Sequence, residues 1–316
     1  MGKFIIKVLL FSFFTVLSLV ICVFAIIKCV PPQFGDLFQA EITNKIERLN
    51  NVNGRKIVYV SGSSGVFCVD SKKISKELGL EFVNMGLHAG LGQYYINEIS
   101  KEGLKKGDIL IIAHEFDTYY YDGNAYGGIA LLATSINDHL EYYKYFTNYD
   151  KKRFIAYLPA YIFTKLDKLI YKKSDADGIY SASAFNKYGD IKYELNESLE
   201  HDYYHHFENY TKEFPKSIIE YYHDLLKFAK KKGVYVVLNF PYMRVKTKEV
   251  DYKYVDELGD AIQKELGIKS LYPLKEAIKE EKYFYDTANH CNTFGKNEYN
   301  NKLIKSLKKY MKENNI

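Results

Sequence analysis

Val8 to Ile27 reads VLLFSFFTVLSLVICVFAII, about twenty residues without a charge. That is the length a helix needs to cross a bilayer core of about 30 Å. A cleaved signal peptide fits less well, because the run is too long and no small-residue cleavage site follows. Lys28 directly before Cys29 speaks against a lipoprotein cysteine. Lys3 and Lys7 precede the run, and Lys28, Pro31 and Pro32 follow it. The positive-inside rule then favours a cytoplasmic N-terminus and an extracellular main domain. The expected organisation is a membrane anchor over 1–30, a linker helix over 31–55 and a domain over 56–316.

Of the net charge of +5, Lys3, Lys7 and Lys28 supply three, so the outer part is nearly balanced. Nucleic-acid binding, which wants a basic face, is not expected. The chain has 31 Tyr and no Trp, which reads as the codon bias of an AT-rich genome rather than as function. The four cysteines, Cys22, Cys29, Cys68 and Cys291, make no disulfide framework, and a Cys68–Cys291 bridge stays open.

The outer part alternates short apolar runs with helical patterns. Strands are expected at Lys56–Val60, Glu81–Asn84, Ile109–Ala113 and within Gly233–Tyr242, with a short apolar segment near Ser270–Tyr272. Helices are expected at Asp36–Asn50, Asp70–Leu78, Gln93–Glu102, Lys216–Lys231, Tyr254–Leu266 and Lys296–Glu313. Such alternation implies βαβ units and a mainly parallel sheet. Residues 119–214 interrupt it as an aromatic, polar insertion, expected over the carboxyl edge of the sheet. Within it Arg153–Tyr171 is amphipathic. It could lie on a membrane surface, its apolar face accompanied by Arg153, Lys165, Lys168, Lys172 and Lys173.

The first strand runs into Ser61-Gly62-Ser63-Ser64-Gly65. Serine and glycine are ordinary turn residues. A serine at the carboxyl end of a parallel strand is also where ligand crevices lie. A serine nucleophile needs a base, and the base an orienting group. Of eight histidines, His290 alone has an explanatory context: Asp286 stands four residues before it, in a loop ahead of the last helix. D-x-x-x-H is common, so the spacing also suits a plain solvated loop. His205-His206 with Glu208 reads as a polar loop rather than a metal site, and no cofactor or metal is expected.

Together these blocks resemble the SGNH, or GDSL-like, hydrolase superfamily over residues 56 to about 308. Gly62-Ser63-Ser64 resembles its serine block, Asn84-Met85-Gly86 with Ala89 and Gly90 its Asn-x-Gly-x-x-Gly block, and Asp286–His290 its last block. FYDTANHCNTFG (Phe284–Gly295) is similar to the FYDTxxHLNxxG of a membrane-anchored extracytoplasmic subgroup. That subgroup includes the teichoic-acid D-alanyl-transfer protein and polysaccharide O-acetylation proteins, which work with membrane-bound O-acyltransferases. The resemblance implies a three-layer αβα sandwich with a mainly parallel sheet. It also implies acyl transfer, acetyl or D-alanyl, to or from a cell-surface polysaccharide or teichoic acid.

Setting Gly62 on the block's glycine makes Ser64 the expected nucleophile, with Ser63 the alternative. His290 is the expected base and Asp286 its orienter. Backbone N–H groups of Ser64 and of the Ala89–Gly90 loop are expected to meet the oxyanion. The superfamily's usual Asn there is replaced by Glu115, as in the anchored subgroup. An ionised Glu115 would repel an oxyanion, so it must point away, be protonated or contact substrate. The rival readings are a carbohydrate esterase with the same triad, and a non-catalytic scaffold or polymer-binding partner of the acyltransferase. Water exclusion by the insertion would favour transfer over hydrolysis.

Overall fold

Ile57 to Val60 is an apolar run rich in β-branched side chains, and it becomes the hub of a parallel sheet. The structure is a computed structural model that describes residues 2–30, 34–136, 139–171, 176, 178–199, 203–246 and 250–316. Lys172, Lys173, His201, Pro31 and Pro32 lie outside the described residues.

In chain order the elements are α1 (Gly2–Cys29), α2 (Glu41–Asn51), β1 (Lys56–Val60), α3 (Ser63–Cys68), α4 (Ser71–Leu78), β2 (Glu81–Asn84), α5 (Gln93–Glu102) and β3 (Ile109–Ile112). Then follow α6 (Ile129–Ser135), α7 (Asn148–Tyr171), α8 (Lys216–Lys232), β4 (Tyr235–Leu238), β5 (Met243–Arg244), α9 (Tyr252–Leu266), β6 (Ile278–Lys279) and α10 (Thr293–Glu313). The expected order of strands and helices is present. The linker helix is shorter than expected, starting at Glu41 after a 3₁₀ turn at Phe38–Ala40. The fourth strand covers only Tyr235–Leu238, and Ser270 joins it through a single parallel bridge to Leu238.

The main sheet has four strands in the order β2-β1-β3-β4, all parallel. Strand residues alternate faces. Val58, Val60, Leu110 and Ile112 pack in one cluster with Ile42 of α2, Ile96 of α5 and Leu225 of α8. Ile57, Tyr59, Ile109 and Ile111 pack in another with Ile74 of α4 and Leu303 and Leu307 of α10. The two faces of the sheet therefore bury their side chains in separate apolar clusters, which is why the strands read as continuous apolar runs. Asp70 caps α4 by accepting the Lys73 N–H, and Asp251 caps α9 by accepting those of Lys253 and Tyr254. Side-chain caps of this kind contribute about 1 kcal/mol each.

This order has a switch point. The chain leaves β1 for β2 on one side and returns to β3 on the other, so a crevice opens between the ends of β1 and β3. Ser63 follows β1 and Glu115 follows β3.

Helix α1 is long and apolar enough to cross a membrane. Phe4 to Phe24 expose large apolar side chains along its length. The helix does not stand entirely clear of the domain, as a free anchor would. Ile27 is buried, and Val23 packs against the same core.

Candidate active site

Helix α3 begins at Ser63, after Ser61 and Gly62 at the end of β1. The Ser63 and Ser64 side chains are therefore separated by about 100° around the helix axis, the turn between consecutive helical residues. Ser63 is half-buried and faces the crevice, whereas Ser64 is fully buried. The Ser63 Oγ lies 2.8 Å from His290 Nε2. The serine at the histidine is thus Ser63, not the expected Ser64.

The Asp–His loop is closed by its own backbone. Phe284 and Cys291 form an antiparallel bridge, and the Tyr285 N–H donates to the His290 carbonyl at 2.8 Å. This loop brings Asp286 Oδ1 to 2.8 Å from His290 Nδ1. A carboxylate only accepts, so Nδ1 carries the proton and Nε2 is left to accept from Ser63. Asn292 caps α10 by accepting the Gly295 N–H, and it donates to the carbonyls of Lys282 and Phe284. A Cβ at Gly295 would collide with the Tyr283 carbonyl oxygen. The Asn and Gly of this block therefore hold the loop onto α10.

Three further side chains fix the histidine and its loop. Phe67 of α3 stacks on the imidazole, centroids 3.9 Å apart and planes 5° from parallel. Tyr180 donates to Asp286 Oδ2 and stands 3.4 Å from His290 Nδ1. His205 pairs through Nε2 with Asn289 Oδ1 at 2.9 Å and through Nδ1 with the Tyr210 hydroxyl at 3.1 Å. Both His205 nitrogens are thus engaged within the protein, and its place is to brace the loop. Burial alone would raise the Asp286 pKa. The hydrogen bond and charge of His290, with the Tyr180 donor, outweigh it, and the pKa falls below its ordinary 3.8.

Glu115 is turned away from the crevice. It is 3 % exposed and accepts the N–H of Gly62 at 3.2 Å and of Ser64 at 2.9 Å. Burial raises its pKa, and the Ser64 N–H opposes the rise. A Cβ at Gly62 would collide with the Glu115 carboxylate and the Ala89 methyl, so only glycine fits there. The expected oxyanion donors are occupied accordingly: the Ser64 N–H by Glu115, and the Gly90 N–H by His88 Nδ1 at 3.0 Å. Ala89 packs beside Gly62, and the Gly90 carbonyl accepts the Gly127 N–H at 2.9 Å. Asn84 braces the same turn. Its Nδ2 donates to Gly65 O and to Asp190, and its Oδ1 accepts the Gly86 N–H.

Ser63 and His290 open into a crevice of about 260 Å³ walled by Leu37, Phe38, Gln39, His88, Ala176 and Tyr180. A larger groove of about 540 Å³ between Arg48 and Tyr188 lies elsewhere and contains neither Ser63 nor His290. Cys68, at the end of α3, is disulfide-bonded to Cys291, the residue after His290. Sequence reasoning missed Phe67, Tyr180 and His205. Tyr180 lies 106 residues from Asp286 with no local pattern to mark it.

The chain matches no family model and no curated protein.

Proposed function

We propose that the protein is an SGNH-like serine acyl-transfer protein of the bacterial cell envelope, with the three-layer arrangement of that superfamily. Helix α1 spans the cell membrane, with the N-terminus cytoplasmic and the domain outside. A membrane-bound O-acyltransferase supplies an acetyl or D-alanyl group, and the acceptor is a hydroxyl of a cell-surface polysaccharide or teichoic acid. The observation that carries the reading is the Ser63–His290–Asp286 line, two contacts of 2.8 Å in an accessible crevice at the end of β1. The anchor also bears on it. Phe38, a wall of the crevice, stands nine residues after Cys29, the end of α1. At roughly 3.5 Å per residue, the crevice lies within about 30 Å of the end of the span.

Ser63 Oγ attacks the donor's acyl carbon as its proton passes to His290 Nε2. The tetrahedral intermediate collapses, the leaving group takes that proton, and acyl-Ser63 remains. The acceptor hydroxyl then attacks the acyl carbon and gives its proton to His290. Collapse releases the new ester and returns the proton to Ser63. Asp286 holds the imidazole in the tautomer this needs and stabilises the imidazolium. The test is mass spectrometry of full-length protein isolated at acid pH from cells that acylate their polymer. An acyl group on the Ser63 peptide is expected. Its absence in wild type and in variants slowed at deacylation would overturn the acyl-serine reading, whereas an acyl-Ser63 that passes its group to water and not to the polymer would leave the esterase.

Tyr180→Phe is expected to lower turnover of a small acetyl ester about tenfold, roughly the 1.4 kcal/mol of one charge-assisted hydrogen bond. Tyr180 favours the charged form of Asp286, so its loss raises the Asp286 pKa. The acid limb of the pH–rate profile should move up. An unchanged profile would make Tyr180 packing alone.

A further inference from the structure

Helix α7 carries apolar residues outward as well as inward, and buries cations with its core-facing side. Lys165 and Lys168 are turned inward, 0 % and 7 % exposed, among the residues that face the core. Of the cations expected to accompany its apolar face, Lys165 and Lys168 are buried instead. The outward stripe is Ile155, Pro159, Phe163 and Ile170, at spacings that fall within one arc of the helix. Ile155, Phe163 and Ile170 are 62 %, 73 % and 70 % exposed. The fifteen rises from Ile155 to Ile170 make this stripe about 22 Å long. Exposed Tyr149 and Tyr171 stand at its two ends, the amphipathic side chain favoured at membrane–water boundaries. A soluble surface rarely carries such a stripe without an occupant.

The occupant follows from the neighbour. Helix α7 touches α1. Phe34, five residues beyond α1, stacks on Tyr161 of α7 with centroids 5.6 Å apart. Val23 and Ile27 pack onto the core that holds Phe154 and Tyr161. Those two residues belong to the last turns of the apolar run, so α7 meets α1 at the level where a span would leave the hydrocarbon. We propose that α7 lies in the membrane interface with Ile155, Pro159, Phe163 and Ile170 among the lipids, a second attachment beside α1. This rests on the reading of α1 as a span. A helix so placed sinks about 5–10 Å into the boundary of headgroups and acyl chains. Two attachments hold the domain in one orientation, with the Ser63 crevice at a fixed height above the bilayer.

The test uses the full chain in phosphatidylcholine–phosphatidylglycerol vesicles, with Cys22 and Cys29 replaced by serine. Nitroxides are placed singly by Phe163→Cys, Ile170→Cys, Leu17→Cys in α1 and Lys231→Cys in α8. At 163 and 170, relaxation by oxygen should exceed relaxation by a water-soluble nickel complex, as at 17, with the reverse at 231. If 17 reads lipid while 163 and 170 read water, α7 is not in the membrane and the anchor stands. If 17 reads water, the anchor reading fails first. Dipolar coupling between labels at 163, shielded from both reagents, would mean that a second copy covers the face and would overturn the proposal.

Discussion

Ser63→Ala is expected to abolish labelling by a serine-directed phosphonate, while Ser64→Ala keeps the label. Ester turnover should fall by on the order of 10⁶-fold in the first variant, the scale seen when one member of a triad is removed. The geometry gives the asymmetry: only Ser63 presents its hydroxyl to His290 Nε2, at 2.8 Å. Ser64 is buried, and its backbone N–H donates to Glu115, a bond that alanine retains. Ser63 is half-buried at a helix start, so losing one oxygen should move stability by no more than about 0.5 kcal/mol. His290→Ala should match Ser63→Ala, and the double variant should be little worse, because the members act as a unit. Polymer acylation in cells distinguishes chemistry from scaffolding. If Ser63→Ala and His290→Ala both keep full acylation while deletion of the protein abolishes it, the protein is a scaffold.

The choice between the serines shows where a sequence stops being informative. Strands such as Ile57–Val60 and Ile109–Ile112 were legible because burial on both faces leaves an unbroken apolar run. The Asp286–His290 pair was legible from its whole block, FYDTANHCNTFG, because the spacing alone also suits a plain loop. Two adjacent serines differ only in which way each faces, and that depends on where α3 starts. Setting Gly62 on the block's glycine put Ser64 on the nucleophile, whereas the helix that begins at Ser63 turns the Ser63 hydroxyl to His290. Tyr180 and His205 act on the loop from a stretch without regular period, so only tertiary structure reveals them. Helix α7 was legible as an amphipathic helix but not in its orientation. Its periodicity gives an apolar face, but periodicity alone does not say whether that face meets the core or the outside. Here the core takes Phe154, Tyr161, Lys165 and Lys168, and Ile155, Phe163 and Ile170 face outward.

Replacing both Cys68 and Cys291 by serine is expected to cost several kcal/mol of stability and to lower turnover before the domain unfolds. The bridge closes a loop with a sequence separation of 223 residues. In the chain-entropy account a loop of that length is worth roughly 5 kcal/mol, with measured values for natural disulfides of about 2–5 kcal/mol. The effect on turnover has a separate cause. Cys68 ends the helix that starts with Ser63 and carries Phe67, and Cys291 follows His290. The bridge therefore joins the two segments that carry Ser63 and His290. Without it the 2.8 Å contact rests on the Phe67 stack and the loop's own hydrogen bonds, and the productive geometry should be populated less. Turnover should be compared at temperatures well below both melting midpoints, so that the fraction folded is the same. Thiol titration checks the premise: denatured, unreduced protein from its native membrane should show only Cys22 and Cys29 as reactive, and reduction should add two more. Four reactive thiols before reduction would remove the bridge from the native protein. It would also remove the support that a stable disulfide gives to an oxidising, extracytoplasmic location.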